Sequence, residues 1–250
     1  MDALRATLPV LRTLGEGLLQ LVYPAVCHIC LDPLSSSCQR FCAKCESALK
    51  KDPFPACWRC GSTVGPHEEV ADGCARCRKT SFHFSRVYRL GPYEGLLREV
   101  VLRMKSQAGE SLASAMGELF AKRLEPALAD AKLDGVVAIP LHWRRRTARG
   151  YNQSEVIARS MAHKLRVPFL SNSLVRLRYT PQQVGLSAAE RRANVLGAFS
   201  VRRAGSMLGK RVLLMDDVMT TNSTASEAAG ALRKAGVAEV LVGVLAHRTV

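Results

Sequence analysis

No stretch of this chain approaches the roughly 20 consecutive apolar residues that a membrane-crossing helix requires. A secretory leader is not evident either. In "MDALRATLPVLRTLGEGLLQLVYP" the stripe of Leu11, Leu14, Leu18 and Leu21 is interrupted by Arg12 and Glu16, and no clear small-residue cleavage site follows. Residues 1–22 read instead as a docking helix that packs on the body of the protein, with contact at a membrane surface as the alternative, and a cytoplasmic location is expected. The chain has no G-x-x-x-x-G-K-[ST] and no G-x-G-x-x-G ahead of a helix, which excludes Walker-type and dinucleotide-binding loops. Aromatic residues make up only 6%, so any stacking surface is small. Acidic residues are scarce: 21 Asp and Glu stand against 36 Lys and Arg, leaving a formal net charge of +15.

That excess is uneven. Between Leu141 and Arg203 the many arginines are opposed only by Glu155 and Glu190. Such a segment suits a polyanion, either a pyrophosphate group or nucleic acid. The length of 250 residues and the 48% hydrophobic content permit one medium domain with a true core and a smaller companion.

What the chain does have is cysteine. Eight of its nine cysteines form four C-x-x-C pairs: Cys27/Cys30, Cys42/Cys45, Cys57/Cys60 and Cys74/Cys77. Two thiolates on one tight turn can face one ion, and two such turns complete a tetrahedral zinc site. Four pairs therefore imply two structural zinc ions in a double zinc ribbon over 23–80. Spacing does not fix which pairs share a metal, since sequential and crossed pairing both satisfy the ligand count; the sequential arrangement is the one expected. A secreted disulfide framework fits less well without an export signal. Cys38 is left over as a free thiol, and Trp58, Phe54 and Arg59 could offer single strands a stacking and charged surface.

The remainder, 81–250, alternates strand and helix signals. "FHFSRVYRL" reads as a strand, and "GPYEGLLREVVLRMKSQAGESLASAMGELFAKRLEP" as two helices around Gly109. Val136, Val137, Ala138 and Ile139 form a short apolar run that Pro140 stops. A basic loop follows, and a helix starts near Asn152 or Ser154. Near the C-terminus, "RVLLMDDVMTTNSTASEAAGALRKAG" repeats that order. The strand Val212–Met215 is continuously apolar, as in a parallel sheet covered on both faces. After two aspartates and a hydroxyl cluster, Ala225, Ala228, Ala229, Leu232 and Ala235 recur at helical spacing. Hydroxyls and backbone amides at a helix start make a phosphate cradle. Asp216 and Asp217 would repel that phosphate, so they suit ribose hydroxyls or magnesium. If the two strands are parallel neighbours, their loops share one crevice.

This last stretch resembles the ribose-phosphate signature of the type I phosphoribosyltransferases, with Asn222 where that family usually has glycine. Asparagine is the next most tolerant residue of left-handed backbone angles. A narrower resemblance lies in Arg149, Gly150, Tyr151, Asn152 and Gln153, then Gln183, Leu186, Arg191, Asn194 and Phe199, then the loop Asp216–Thr224, behind four C-x-x-C pairs. These are similar to the ComF family. The resemblance implies an α/β fold of type I phosphoribosyltransferase kind, Rossmann-like with a mainly parallel sheet, preceded by a small cysteine-rich zinc-ribbon domain. It further implies binding of phosphoribosyl pyrophosphate with magnesium. Asp216 and Asp217 would serve as catalytic and ribose-binding residues, and Thr220, Thr221, Asn222, Ser223 and Thr224 as the phosphate loop. Leu141, His142, Trp143 and Arg144 would form the pyrophosphate loop, Lys105 would contact phosphate, and Arg178–Arg192 would be a mobile lid. The family is linked to natural competence and DNA utilisation, so single-stranded DNA and competence-machinery proteins are expected partners. The alternative is a ligand-sensing module without transfer.

Overall fold

The computed structural model describes residues 24–36, 39–180 and 188–249. The docking helix expected over 1–22, Cys38, Gln183 and the middle of the expected lid lie outside them. Contacts divide the chain between Ala48 and Leu49, within the segment that cysteine spacing sets aside as one double ribbon.

The first unit contains a knuckle in which Val26 bridges to Pro33. Cys27 N–H donates to Asp32 O at 2.8 Å and Leu31 N–H to Cys27 O at 3.0 Å, with Leu31 at φ 66°. Helix α1 (Ala43–Lys50) carries Cys45 and runs across the unit boundary. The second unit opens with the same turn. Ala56 bridges to Thr63, Cys57 N–H donates to Ser62 O at 2.9 Å, and Gly61 N–H to Cys57 O at 2.8 Å. Gly61, at φ +78°, has a second reason to lack a side chain: a Cβ there would stand 2.8 Å from Val87 Cγ1.

The second unit continues through β1 (Arg86–Pro92), α2 (Gly95–Arg103), α3 (Glu110–Leu128), β2 (Gly135–Ala138), α4 (Trp143–Arg149), α5 (Gln153–Leu165), β3 (Leu174–Arg176), α6 (Ala188–Val195), β4 (Phe199–Val201), β5 (Arg211–Met219), α7 (Ser223–Lys234) and β6 (Glu239–His247). Four strands form a wholly parallel sheet in the order β1-β6-β5-β2, and β3 and β4 pair antiparallel beside it. The expected α/β class with a mainly parallel sheet is therefore the one observed. Strand β5 is apolar on both faces because both are covered. Val212 and Leu214 cluster with Ala225, Ala228, Ala229 and Leu232 of α7. Met215 faces the other way, where it and Phe120 of α3 crowd Gly243. Because β2 and β5 are parallel neighbours in the register Ala138↔Met215, the segments after them leave the same edge of the sheet.

Three features depart from expectation. Strand β5 does not end at Met215: Asp216 pairs with Val244, Val218 with Ala246 and Met219 with His247, so the two aspartates lie inside the strand. The apolar length of β6 sustains that pairing, which a reading of β5 alone does not see. The basic stretch after Pro140 is not a loop throughout. Trp143–Arg149 form the short helix α4, with His142 accepting from Arg144 N–H at its start and Gly150 at φ 87° ending it. Arginine and alanine favour helix, and the charges find solvent or partners such as Glu155 and Gln153. The β3–β4 pair was not foreseen, since strands of three residues carry too little periodicity.

The second knuckle is tied to the sheet by Arg89, whose side chain is 2% exposed. It bonds Asp52 at 3.1 Å through both Nε and Nη2, and Gly61 O and Thr63 Oγ1 at 2.8 Å through Nη1. Removing one partner of a buried pair strands the other charge. Asp52→Ala is expected to lower the unfolding free energy of the zinc-loaded chain by about 3 kcal/mol in urea titration. A loss within the ordinary surface range of about 0.5 kcal/mol would show that the pair is not a buried tie.

Candidate functional site

Two constellations emerge. In each cysteine group, the four sulfurs lie within 4.8 Å of one another: Cys27, Cys30, Cys42 and Cys45 in the first, Cys57, Cys60, Cys74 and Cys77 in the second. The pairing is sequential. Neighbouring sulfurs are 3.6 Å apart for Cys30 and Cys42 and for Cys60 and Cys74, and 3.7 Å for Cys57 and Cys77. Tetrahedral zinc with bonds of about 2.3 Å needs sulfurs about 3.8 Å apart, so both donor sets fit a zinc ion. The second group is buried throughout, whereas Cys30 of the first is exposed.

The other constellation surrounds Asp216 and Asp217. Gln153 Nε2 donates to Asp217 Oδ2 at 3.0 Å, and Lys105 Nζ lies 3.3 Å from the same oxygen. Ser154 Oγ donates to Asp216 Oδ1 at 2.8 Å. Burial would raise the Asp217 pKa, but the Lys105 ammonium and the Gln153 amide outweigh it and hold the carboxyl below its usual value. Asp216 is pushed up to about 8 by burial and the neighbouring Asp217 charge. The dyad thus has one fixed carboxylate and one whose charge a cation or hydroxyl donors would stabilise.

The Arg149–Gln153 run assembles this arrangement. Arg149 donates to Gln153 Oε1 at 2.6 Å, orienting its amide toward Asp217. Gly150 turns the chain between α4 and α5. The Tyr151 hydroxyl donates to Met104 O, beside Lys105. Asn152 accepts from Ser154 N–H at 3.2 Å, capping α5, and donates to Ile139 O at 3.1 Å just beyond β2. One pentapeptide therefore joins the end of α2, the end of β2 and the aspartates of β5.

Thr220, Thr221 and Asn222 connect β5 to α7, Ser223 and Thr224 open that helix, and Arg191 of α6 donates to Thr220 Oγ1 at 3.3 Å. Asn222 adopts the left-handed conformation expected of it, at φ 63°. Leu141 and His142 precede α4, while Trp143 and Arg144 lie in its first turn. Trp143 is 64% and Tyr179 46% exposed, with Arg144 over both rings and Arg145 over Tyr179. Lys105, expected on phosphate, rests against Asp217. Asn194 is in α6, where its carbonyl accepts from Arg178 at 3.3 Å. Sequence reading missed Ser154 as the partner of Asp216 and Tyr179 as part of the aromatic surface. Ser154 adjoins a recognised motif and was within reach, whereas Tyr179 meets His142 only through the fold.

Among curated proteins, the chain is 31% identical over 225 residues to competence protein F of Haemophilus influenzae, an alignment covering 88% of this chain and 96% of that protein. The chain belongs to the ComF family. Its ComF-family relatives include the DNA utilization protein YhgH of Salmonella typhi, 31% identical over 228 residues, covering 90% of this chain and 98% of that one. YhgH of Escherichia coli strain K12 is 29% identical over the same shares. No family model matches the chain. Among solved structures, glutamine phosphoribosylpyrophosphate amidotransferase from B. subtilis shares 26% identity over 54% of this chain and 27% of that one, at a TM-score of 0.37, too loose a likeness to carry weight. Among the described residues of this ComF chain, no helix is long and apolar enough to cross a membrane.

The Lys105 contact makes a prediction. With its folded pKa depressed, Asp217 contributes stability above the ordinary carboxylate value that is lost as pH falls through the folded value. In Lys105→Met the ammonium that chiefly opposes burial is gone and hydrogen bonds such as that from Gln153 remain, so the Asp217 pKa rises. Carbon-detected carboxyl titration should record that rise. The variant should be less stable than the parent at pH 7, by a margin that shrinks as pH falls through the parent's depressed folded pKa and vanishes once both forms are protonated.

Proposed function

We propose that this ComF protein binds phosphoribosyl pyrophosphate with magnesium at the carboxyl edge of β2 and β5 and acts as a phosphoribosyltransferase in competence and DNA utilisation. The observation that carries the reading is the junction of two aspartates, held in β5 by Lys105, Gln153 and Ser154, with a hydroxyl-rich turn that enters α7. The first amides of α7 have no partners within the helix, and Asn222 offers them no side-chain cap. They suit the 5-phosphate, together with Thr220, Thr221, Ser223 and Thr224. Asp216 and Asp217 face the ribose hydroxyls. Leu141–Arg144, on the neighbouring strand's exit, takes the pyrophosphate, with Arg144 supplying charge. The names competence protein F and DNA utilization protein, borne by relatives, support the biological setting.

Transfer breaks the bond between the anomeric carbon and pyrophosphate oxygen and forms one to an acceptor nucleophile. Positive charge grows at the sugar while negative charge grows on the leaving group. The aspartates stabilise the first and arginines of the 141–149 segment the second. Asp216 and Asp217 are hard oxygen donors, so they fit magnesium, which when bound neutralises pyrophosphate charge.

A second reading has its own support. The exposed Trp143, Tyr179, Arg144 and Arg145 form an aromatic and basic platform of the kind on which single-stranded bases stack. On this reading the protein holds single-stranded DNA or a competence-machinery partner and uses the ribose-phosphate ligand as a signal.

Calorimetric titration with phosphoribosyl pyrophosphate and magnesium should give saturable binding to the zinc-loaded chain. Asp217→Asn should weaken it at least about tenfold, the scale of one charge-assisted hydrogen bond. No heat in the unsubstituted chain would remove the first reading. For the second, Trp143→Ala should weaken oligo-dT binding about tenfold by fluorescence anisotropy, with affinity falling steeply as salt rises. An unchanged affinity would dismiss the platform.

A further inference from the structure

Asn222 occupies a position whose backbone, φ 63° and ψ −4°, glycine would adopt without cost. What asparagine adds is an amide, and it does not serve the helix that it precedes. Its Nδ2 donates to the backbone carbonyl of Cys60 at 3.0 Å, and its Oδ1 lies 3.4 Å from His247 Nε2. A carbonyl can only accept, so the Cys60 bond fixes which end of the amide is nitrogen and leaves the oxygen facing an imidazole N–H. The three residues are buried, with Asn222 5%, Cys60 2% and His247 1% exposed. Cys60 contributes a sulfur to the second cysteine group. One side chain therefore runs from a metal-ligating residue to the turn between β5 and α7. The knuckle itself has little freedom, since Arg89 holds Gly61 O and Thr63 at 2.8 Å and Val87 N–H bonds Trp58 O at 2.9 Å.

We propose that Asn222 is a positioning residue through which the second cysteine group, with its zinc, sets the geometry of the phosphate-binding turn, so that metal and phosphate bind cooperatively. This rests on the reading of residues 220–224 as the phosphate cradle. The zinc at Cys57, Cys60, Cys74 and Cys77 then does more than fold a small segment. Ordering of the knuckle fixes the Cys60 carbonyl, that carbonyl fixes the Asn222 amide, and the amide holds the turn open to an anion. By linkage the effect is reciprocal: an anion in the cradle must hold the zinc more tightly.

Asn222→Gly tests this because it keeps the backbone conformation and deletes the amide. Asn222→Asp, similar in shape but without the Nδ2 donor, is the companion variant. Each zinc-loaded full chain is mixed with a chromogenic chelator, and zinc release is followed without ligand and with ribose 5-phosphate. Affinity for ribose 5-phosphate is measured calorimetrically. The exposed Cys30 assigns the fast phase to the first group, and the buried second group gives the slow phase. Both variants should accelerate the slow phase and weaken ribose 5-phosphate about fivefold to tenfold, the scale of one buried hydrogen bond. Ribose 5-phosphate should slow the slow phase in the unsubstituted chain and have little effect in the variants. Release and affinity unchanged in Asn222→Gly would overturn the proposal, reducing Asn222 to a tolerated occupant of a left-handed position. Weakened affinity with unchanged release would overturn it too, by confining Asn222 to the turn. Faster release in the variants, with no ribose 5-phosphate binding even in the unsubstituted chain, would support the tie to the cysteine group while removing the phosphate reading of the loop.

Discussion

Two adjacent carboxylates inside a central parallel strand impose a cost that the rest of the domain has to meet. Strands of this kind are flanked by other strands and covered by helices, and a charge there is stable only with partners of its own. Asp217 receives Lys105 from beyond α2 and Gln153 from the start of α5, while Asp216 receives Ser154. Those partners must themselves be held. Tyr151 reaches the Met104 carbonyl beside Lys105, Asn152 caps α5 and grips Ile139, and Arg149 orients Gln153. The Arg149–Gln153 motif is therefore intelligible as the frame that lets a strand carry two acids near its carboxyl end.

The same edge of the sheet receives the second cysteine group. A small knuckle has no core of its own and depends on its metal and on what it packs against. Here it packs against β1 through the buried Arg89 network and against the β5–α7 turn through Asn222. The contact boundary at Ala48 follows from this arrangement, since the second group shares its bonds with the α/β domain. The second cysteine group and the carboxyl end of β5 thus belong to one unit, and named hydrogen bonds link them.

Much of this was legible along the chain. The apolar runs at Val136–Ile139 and Val212–Met215 marked two buried strands, the alanine stripe marked α7, and four C-x-x-C pairs marked two metal groups. Asn222 was expected to be left-handed because it stands where the type I phosphoribosyltransferases that the stretch resembles usually have glycine, and asparagine is the next residue to tolerate that conformation. The extent of β5 was not legible, because acids after an apolar run look like its end and only pairing with β6 carries the strand through Asp216 and Asp217. Nor was helix α4, whose arginines suggested a loop by charge alone. The amide of Asn222 on Cys60 could not be read from sequence at all, since the two residues are brought together by the fold and neither bears a pattern that points to the other.

The account's central claim is that the exits of β2 and β5 form one ribose-phosphate and pyrophosphate site. Hydrogen–deuterium exchange of the zinc-loaded chain, with and without phosphoribosyl pyrophosphate and magnesium, tests it most directly. The account predicts slowed exchange in peptides covering Thr220–Thr224 and Leu141–Arg144, with little change at the amino ends of the same strands. Binding with no protection at either exit, or with protection confined to another face of the sheet, would contradict it.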